Sequence, residues 1–161
     1  MIKLSAFERS PRLSELKVAY RRTGPASARK QITGAMDAAE YLKSVWDRDR
    51  IELVEEFVML CLDGSNRPNG WLKVSTGGLS ACPVDIRIVL AVALQTASPA
   101  LIVAHSHPSG SLTPSPEDVA LTRRLKDASA LLGIRLLDHL IITKDSSLSL
   151  LDHGYLCESG A

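Results

Sequence analysis

The sequence predicts an α/β protein of three layers, in which two or three helices pack against a single mixed β-sheet. Segments with the apolar period of a helix, near 3.6 residues, alternate with segments that have the period of two typical of strands. The short run 100–104 is wholly apolar and bounded by turn residues, which is typical of a strand buried on both faces. A length of 161 residues suits one domain with its own core.

The N-terminal region is predicted to differ from the rest of the chain. Residues 1–32 mix proline, glycine, serine and basic residues without sustained periodicity, which predicts an extended leader with a candidate short strand at 16–20. The compact domain is predicted to span 33–161. Thr33 is the expected cap of a first helix over 35–47, where alanine and leucine recur at helical spacing.

The next segment changes to a period of two. Residues 51–62 are predicted to form a strand that a glycine- and asparagine-rich turn joins to a second strand at 71–75. A largely buried helix is expected over 83–96, because Pro83 suits a first helical turn and Asp85 complements the helix dipole.

The remaining elements follow the central strand. Ser115, Pro116 and the two acids after them predict a helix start, and Gly133 predicts its end. Two closing strands are expected at 134–142 and 147–151.

Charge and composition restrict the function classes. Residues 1–34 hold eight Lys and Arg against two Glu, a net +6, whereas the remaining residues hold eleven against sixteen acids, a net −5. This asymmetry is typical of a basic arm on a mildly acidic domain. No apolar run approaches the roughly 20 residues of a membrane span, which favours a cytoplasmic protein without a membrane partner. Three widely spaced cysteines argue against a disulfide framework.

Two histidines suggest a metal site. His105 and His107 are two residues apart at the end of the central strand, so alternation places both imidazoles on one face. A turn-rich loop then leads to Asp118 in the first turn of the next helix, where it can supply a third ligand. Helix capping alone also explains Asp118, and paired loop histidines need no metal. The combination nevertheless matches a catalytic zinc, which takes three protein ligands and leaves one position open.

The spacing resembles a known motif. His105-Ser106-His107-Pro108, six residues, Ser115, two residues and Asp118 are similar to the H-x-H-P-x6-S-x2-D motif of the JAMM (MPN-type) metalloproteases. The segments EEFVMLCLD, VSTGGLS, HPSG and LLDHLIIT resemble the bacterial RadC family, and the similarity covers roughly 33–156. The resemblance implies the three-layer JAMM fold, which is cytidine-deaminase-like. The helix-hairpin-helix region common in RadC proteins is not recognisable in residues 1–34, as in short RadC-like proteins.

The resemblance also implies roles for individual residues. His105, His107 and Asp118 would bind Zn2+ with a water, and Ser115 would stabilise the oxyanion. An upstream glutamate would act as the base that activates the water.

Three glutamates compete for the role of base: Glu52, Glu55 and Glu56. Glu55 fits the family pattern E-x-F-x-x-L-x-L-D, whereas alternation sends Glu56 to the opposite face. His139 is expected to be a hydrogen-bonded structural histidine rather than a fourth ligand. Cys82 stands where the family tends to have His-Pro-Arg-Glu, and it is expected to precede a helix rather than bind metal.

These features predict a zinc-dependent hydrolase that cleaves peptide or isopeptide bonds in a peptide or protein partner. The alternative is a DNA-associated accessory or repair factor of the RadC family, for which the basic arm would bind DNA in a salt-sensitive way. A nucleobase deaminase is not expected, because the H-x-E and P-C-x-x-C signature is absent. The sequence leaves the substrate and the oligomeric state open.

Overall fold

The computed structural model describes residues 28–79 and 81–155. In chain order its elements are α1 (Ala35–Val45), β1 (Glu56–Leu62), β2 (Pro68–Thr76), α2 (Ile86–Gln95), β3 (Ala100–Ser106), α3 (Pro116–Leu131), β4 (Arg135–Ile142) and β5 (Ser147–Ser149). The five strands form one sheet in the order β2-β1-β3-β4-β5. The β3–β4 pair is parallel and the other pairs are antiparallel, so the sheet is mixed, as predicted.

Helices cover both faces of the sheet. On one face, α1 packs its Ala38 and Leu42 against alternate residues of β1, such as Val58 and Leu60. On the other face, α2 and α3 pack against the intervening positions of the same strands, including Phe57. Because successive side chains of each strand point to opposite faces of the sheet, the strands contribute to two separate apolar cores. This arrangement confirms the three-layer α/β fold.

Strand β3 lies at the centre of the sheet, and every one of its residues is buried. Its parallel neighbour β4 follows through α3, because two parallel strands need a long crossover connection. The carboxyl end of β3 and the amino end of α3 are joined by the loop 107–115, which therefore brings the predicted ligands to one edge of the sheet.

The first helix begins differently from the sequence prediction. Gly34, not Thr33, is the N-cap of α1. The N-cap residue therefore makes no side-chain hydrogen bond to the first turn of the helix. Thr33 instead donates from its backbone N–H and its hydroxyl to the Asp37 carboxylate, at 3.0 and 2.5 Å. The prediction of Thr33 as the cap is wrong by one position, because Asp37 reaches back and binds the threonine. The helix ends at Val45 rather than at 47.

Two other elements, β1 and α2, begin later in the chain than predicted. Residues 51–54 form turns, and β1 begins only at Glu56, because backbone N–H groups at 53 and 54 donate to the Arg50 carbonyl. Helix α2 begins at Ile86, with Asp85 as its N-cap accepting from the Arg87 N–H at 2.9 Å. Pro83 therefore precedes the helix instead of lying in its first turn.

The third helix begins as predicted. Ser115 is the N-cap, Pro116 is the first helical residue, and Ser115 and Asp118 form a reciprocal capping box. Gly133 follows the helix with a φ of 68°, a left-handed conformation that glycine adopts without steric cost. The capping box sets the orientation of the Asp118 carboxylate at the end of the loop.

The predicted N-terminal leader lies mostly outside the described residues, as does its candidate strand at 16–20. Residues 29 and 32 already contact the domain: Arg29 donates to the Pro68 carbonyl at 2.8 Å, and Ile32 is buried in the core beside α1. Among the described residues, no helix combines the length and the apolar character of a membrane span.

Candidate metal centre

The two predicted histidine ligands lie side by side at the end of β3. His105 is in the strand, and the backbone remains extended as far as His107, whose N–H donates to the Ile142 carbonyl at 3.0 Å. Continued pairing with β4 therefore keeps the period of two, and both imidazoles lie on the α3 face. Their Nε2 atoms are 2.9 Å apart. His105 is buried and His107 is partly exposed.

Asp118 completes the group from the first turn of α3. Its Oδ1 atom is 3.3 Å from His105 Nε2, and its Oδ2 atom is 3.7 Å from His107 Nε2. Oδ2 also accepts from the Ser115 N–H at 2.8 Å and from the Ser115 hydroxyl at 2.7 Å. Ser115 therefore holds one carboxylate oxygen, while the other oxygen faces the histidines.

The donor atoms fit a zinc ion. One donor atom from each of His105, His107 and Asp118 lies within 4.8 Å of the others. Two ligands bound tetrahedrally to zinc at about 2.0–2.1 Å would be about 3.4 Å apart, close to the 3.3 Å between His105 and Asp118. Two imidazoles and one carboxylate are also the ligand types that zinc accepts.

Electrostatics favour the ionised carboxylate that a metal needs. Burial opposes ionisation of Asp118, but its close contacts with the imidazoles of His105 and His107 outweigh burial and hold the pKa of the carboxyl well below its usual range. The Asp118 carboxylate accepts a hydrogen bond from His107 and so raises the pKa of His107, against the effect of burial. His107 Nδ1 donates to the Ser111 carbonyl at 2.8 Å, so its Nε2 atom is the one directed toward the group.

The structure separates the three candidate glutamates. Glu52 is exposed and forms an ion pair with Lys144 at 2.7 Å. Glu56 is fully buried on the α1 face, where its carboxylate binds Arg50 at 3.0 Å and Lys73 at 2.7 Å.

Glu55 lies just before β1, two residues from Phe57, so the alternation of side chains assigns both residues to the same face. Phe57 is the residue of β1 that is paired with His105 of β3. Its negative charge also contributes to the raised pKa of His107, which indicates that the two side chains are near each other. By alternation from Phe57, we expect the Glu55 side chain on the histidine face.

Ser106, between the two histidines, holds the backbone on both sides of Glu55. Its hydroxyl accepts from the Glu56 N–H at 2.9 Å and donates to the Val54 carbonyl at 3.2 Å. Because Ser106 points to the face opposite the histidines, it joins the strand that carries the ligands to the segment that carries Glu55. These contacts could not be predicted from local sequence patterns, since the partners of Ser106 are 50 and 52 residues away.

The loop after β2 supports Glu55 from the other side. The Glu55 N–H donates to the Gly78 carbonyl, and the Gly77 N–H donates to the Glu55 carbonyl, both at 2.8 Å. Cys82 lies 3.0 Å from the Ser75 hydroxyl and is not part of the metal group. Its expected position before a helix agrees with the structure.

His139 lies behind His105, fully buried in β4. Its Nε2 atom is 2.8 Å from His105 Nδ1, and its Nδ1 atom is hydrogen-bonded to the Thr122 hydroxyl. Burial lowers the pKa of His139 well below its ordinary value, so the imidazole is neutral. The structural, hydrogen-bonded histidine expected from the sequence is found, but nothing in the sequence showed that its partner would be His105.

Comparison with known proteins identifies relatives over most of the chain. A family model described as the RadC-like JAB domain matches residues 32–155. A UPF0758 protein of Pelobacter propionicus is 45% identical over 102 residues, which are 63% of this chain and 44% of the relative. A UPF0758 protein of Flavobacterium johnsoniae is 37% identical over 126 residues, 78% of this chain and 53% of the relative. A UPF0758 protein of Staphylococcus epidermidis is 39% identical over 125 residues, 78% of this chain and 54% of the relative.

The chain thus spans about half the length of the curated relatives it matches. Their names state no activity. The family model, by contrast, covers the whole sheet and all three helices, together with His105, His107 and Asp118. On this match, the chain belongs to the RadC-like JAB domain family.

Proposed function

We propose that this chain is a zinc-dependent hydrolase of the JAMM class that cleaves peptide or isopeptide bonds. The observation that carries the proposal is the convergence of His105, His107 and Asp118 at one edge of the sheet, with donor atoms within 4.8 Å of one another. When bound, zinc lowers the pKa of a coordinated water to about 7 and polarises a carbonyl group.

In this proposal Glu55 is the general base. The contacts of Ser106 and of the loop after β2 hold the main chain around Glu55, and its carboxylate would take a proton from the attacking water. The same carboxylate then returns the proton to the departing amine. General acid–base help of this kind contributes about 100- to 10,000-fold to a rate. Glu56 does not serve, because Arg50 and Lys73 bind it on the opposite face.

Ser115 is proposed to act at the oxyanion of the substrate. In the structure its hydroxyl donates to Asp118 Oδ2 and accepts from the Asp118 N–H. To donate to an oxyanion, the Ser115 hydroxyl would have to rotate its proton away from the Asp118 carboxylate. Asp118 Oδ2 would then still accept a hydrogen bond from the Ser115 backbone N–H. Ser115 therefore has a structural role in orienting Asp118 in addition to the proposed catalytic one.

The test is hydrolysis of a panel of peptide and lysine isopeptide substrates by the zinc-loaded chain. Glu55→Gln is expected to reduce the rate at least about 100-fold while zinc stays bound. Glu52→Gln is the matched control, because that glutamate is exposed and paired with Lys144. Full activity in Glu55→Gln would refute its role as base, and a zinc-loaded natural chain that cleaves no member of the panel would contradict the proposed activity.

A further inference from the structure

A buried line of hydrogen bonds runs from His105 back to the main chain of Asp118. His105 Nδ1 lies 2.8 Å from His139 Nε2, and His139 Nδ1 is hydrogen-bonded to the Thr122 hydroxyl. The Thr122 hydroxyl in turn donates to the Asp118 carbonyl at 2.6 Å. His139 and Thr122 are both fully buried, so water does not compete for these bonds. The line joins two of the three proposed ligands through residues of β4 and α3.

The direction of every bond in this line follows from its last member. A carbonyl oxygen only accepts, so the Thr122 hydroxyl must give its proton to Asp118. The threonine oxygen then accepts from His139, which places the His139 proton on Nδ1. A neutral imidazole with its proton on Nδ1 has a bare Nε2, and this atom accepts from His105 Nδ1–H. When His105 is a neutral imidazole with its proton on Nδ1, its remaining nitrogen, Nε2, carries the lone pair.

We propose that His139 and Thr122 are positioning residues that hold His105 in the Nδ1–H tautomer, with Nε2 free to bind zinc. The inference rests on the metal site of the proposed function. In the opposite tautomer, a proton on His105 Nε2 would point at Asp118 Oδ1, 3.3 Å away, and would occupy the position of the metal. A histidine ligand needs a partner of this kind on its other nitrogen, and losing that partner typically weakens metal binding 10- to 100-fold.

The environment of His139 supports a role toward His105 rather than general packing. The ring lies edge-on to Phe57, a residue of the apolar core on this face, with centroids 5.5 Å apart. A polar ring in such a core is costly unless its nitrogens are hydrogen-bonded. Both nitrogens of His139 are used, one toward the ligand and the other toward Thr122, so the ring has a defined orientation.

The experiment compares two hydroxyl deletions on α3. Thr122→Val keeps the shape of the side chain and removes the hydroxyl that orients His139. Ser129→Ala is the matched control, because Ser129 is also fully buried in α3 and its hydroxyl has no hydrogen-bond partner among the described residues. The dissociation constant for zinc(II) is measured by competition with a chromophoric chelator. Thr122→Val is expected to bind zinc about 10-fold more weakly, and Ser129→Ala within about twofold of the natural chain.

Substitution of His139 itself gives a second comparison. His139→Leu removes the acceptor for His105 and is expected to weaken zinc binding about 10- to 100-fold. His139→Gln places an amide near the former Nε2 position and is expected to recover part of that loss. Thermal unfolding followed by circular dichroism checks that each variant folds. If His139→Leu does not fold, Thr122→Val decides the question.

The tautomer is measured directly by ring-nitrogen NMR shifts of the metal-free full chain, so the inference is tested separately from the proposed function. The expected result is a protonated Nδ1 and a bare Nε2 on His105, with a shift toward the other tautomer in Thr122→Val. A protonated Nε2 on His105 in the natural chain would overturn the inference even if zinc binds. Equal zinc affinity in Thr122→Val and Ser129→Ala would also overturn it, whereas a natural chain without zinc affinity would refute the proposed function alone.

Discussion

Ser106 offers a test of the contacts that hold the main chain around Glu55, the proposed base. Its side chain is fully buried and makes two hydrogen bonds to the main chain, one on each side of Glu55. Ser106→Ala removes both bonds without adding bulk. Because the side chain points away from the histidines, the substitution is expected to change stability rather than the metal ligands themselves.

The size of the loss follows from the two partners. The Glu56 N–H is buried and bonded at 2.9 Å, so leaving it without an acceptor costs about 1–3 kcal/mol. Val54 is partly exposed and its bond is longer, 3.2 Å, so its carbonyl adds little. We therefore expect a loss of about 1–3 kcal/mol in the free energy of unfolding. With a urea m-value of about 2 kcal/mol/M, the unfolding midpoint falls by about 0.5–1.5 M.

The assay is urea unfolding of Ser106→Ala beside Ser129→Ala. Ser129 is equally buried, but within the part of the chain that the structure describes its hydroxyl has no hydrogen-bond partner, so its loss is expected to be neutral or slightly stabilising in a helix. The two serine variants thus differ in the hydrogen bonds that they remove. If the two midpoints agree within about 0.2 M, which is about 0.4 kcal/mol at this m-value, the proposed contribution of the Ser106 contacts is wrong.

Three other predictions concern the surroundings of the site. Glu56→Gln weakens two ion pairs of a buried carboxylate and is expected to cost about 1–3 kcal/mol, whereas Glu55→Gln stays within about 0.5 kcal/mol in urea unfolding. Equal losses would contradict their assignment to opposite faces. Gly77→Ala places a Cβ 2.0 Å from the Ala81 carbonyl oxygen and is expected to cost about 1–3 kcal/mol, whereas Gly78→Ala meets nothing within 4 Å and is expected to be near neutral. A thermal melt of both variants measures the difference, and similar melting temperatures would count against the close approach. Burial raises the pKa of Asp138 above 3.8, so the folded state binds this proton more tightly than the unfolded state, and the resulting stability is lost as pH rises through the folded pKa. Asp138→Asn is therefore expected to gain stability relative to the natural chain between pH 3 and pH 7, and a difference that is constant with pH would refute this reasoning.

The two elements that form the centre of the site, β3 and α3, could be predicted from residues that lie close together in the sequence. The apolar run before His105 predicts a buried strand, and Ser115 with Asp118 predicts a helix start, because both patterns depend on residues within a few positions of each other. The structure confirms both elements. Alternation along a strand then predicts which side chains share the face of His105.

The errors occurred where a nearby side chain or turn outweighs the local pattern. The apolar residues at 51–54 suggested a strand, but backbone bonds to the Arg50 carbonyl turn the chain there. Pro83 suits a first helical turn, yet Asp85 caps α2 two residues later because its carboxylate accepts from the Arg87 N–H. Propensity alone does not decide between such alternatives.

The supporting contacts of the site depend on tertiary structure. Ser106 meets the Glu55 segment across 50 residues of chain, and His139 meets His105 across 34. No periodicity or spacing reports such contacts, since they require the β1–β3 and β3–β4 registers to be known. The sequence therefore predicted the candidate ligands but not the long-range contacts around them.

The most direct test of the account is the zinc content of the chain purified without chelator, measured by mass spectrometry together with His107→Ala and Asp118→Ala. The account predicts about one zinc per natural chain and none at stoichiometric level in either variant, because both supply ligands to a three-residue site. A natural chain that holds no zinc even after the metal is added back, or an Asp118→Ala variant that retains it fully, would contradict the account.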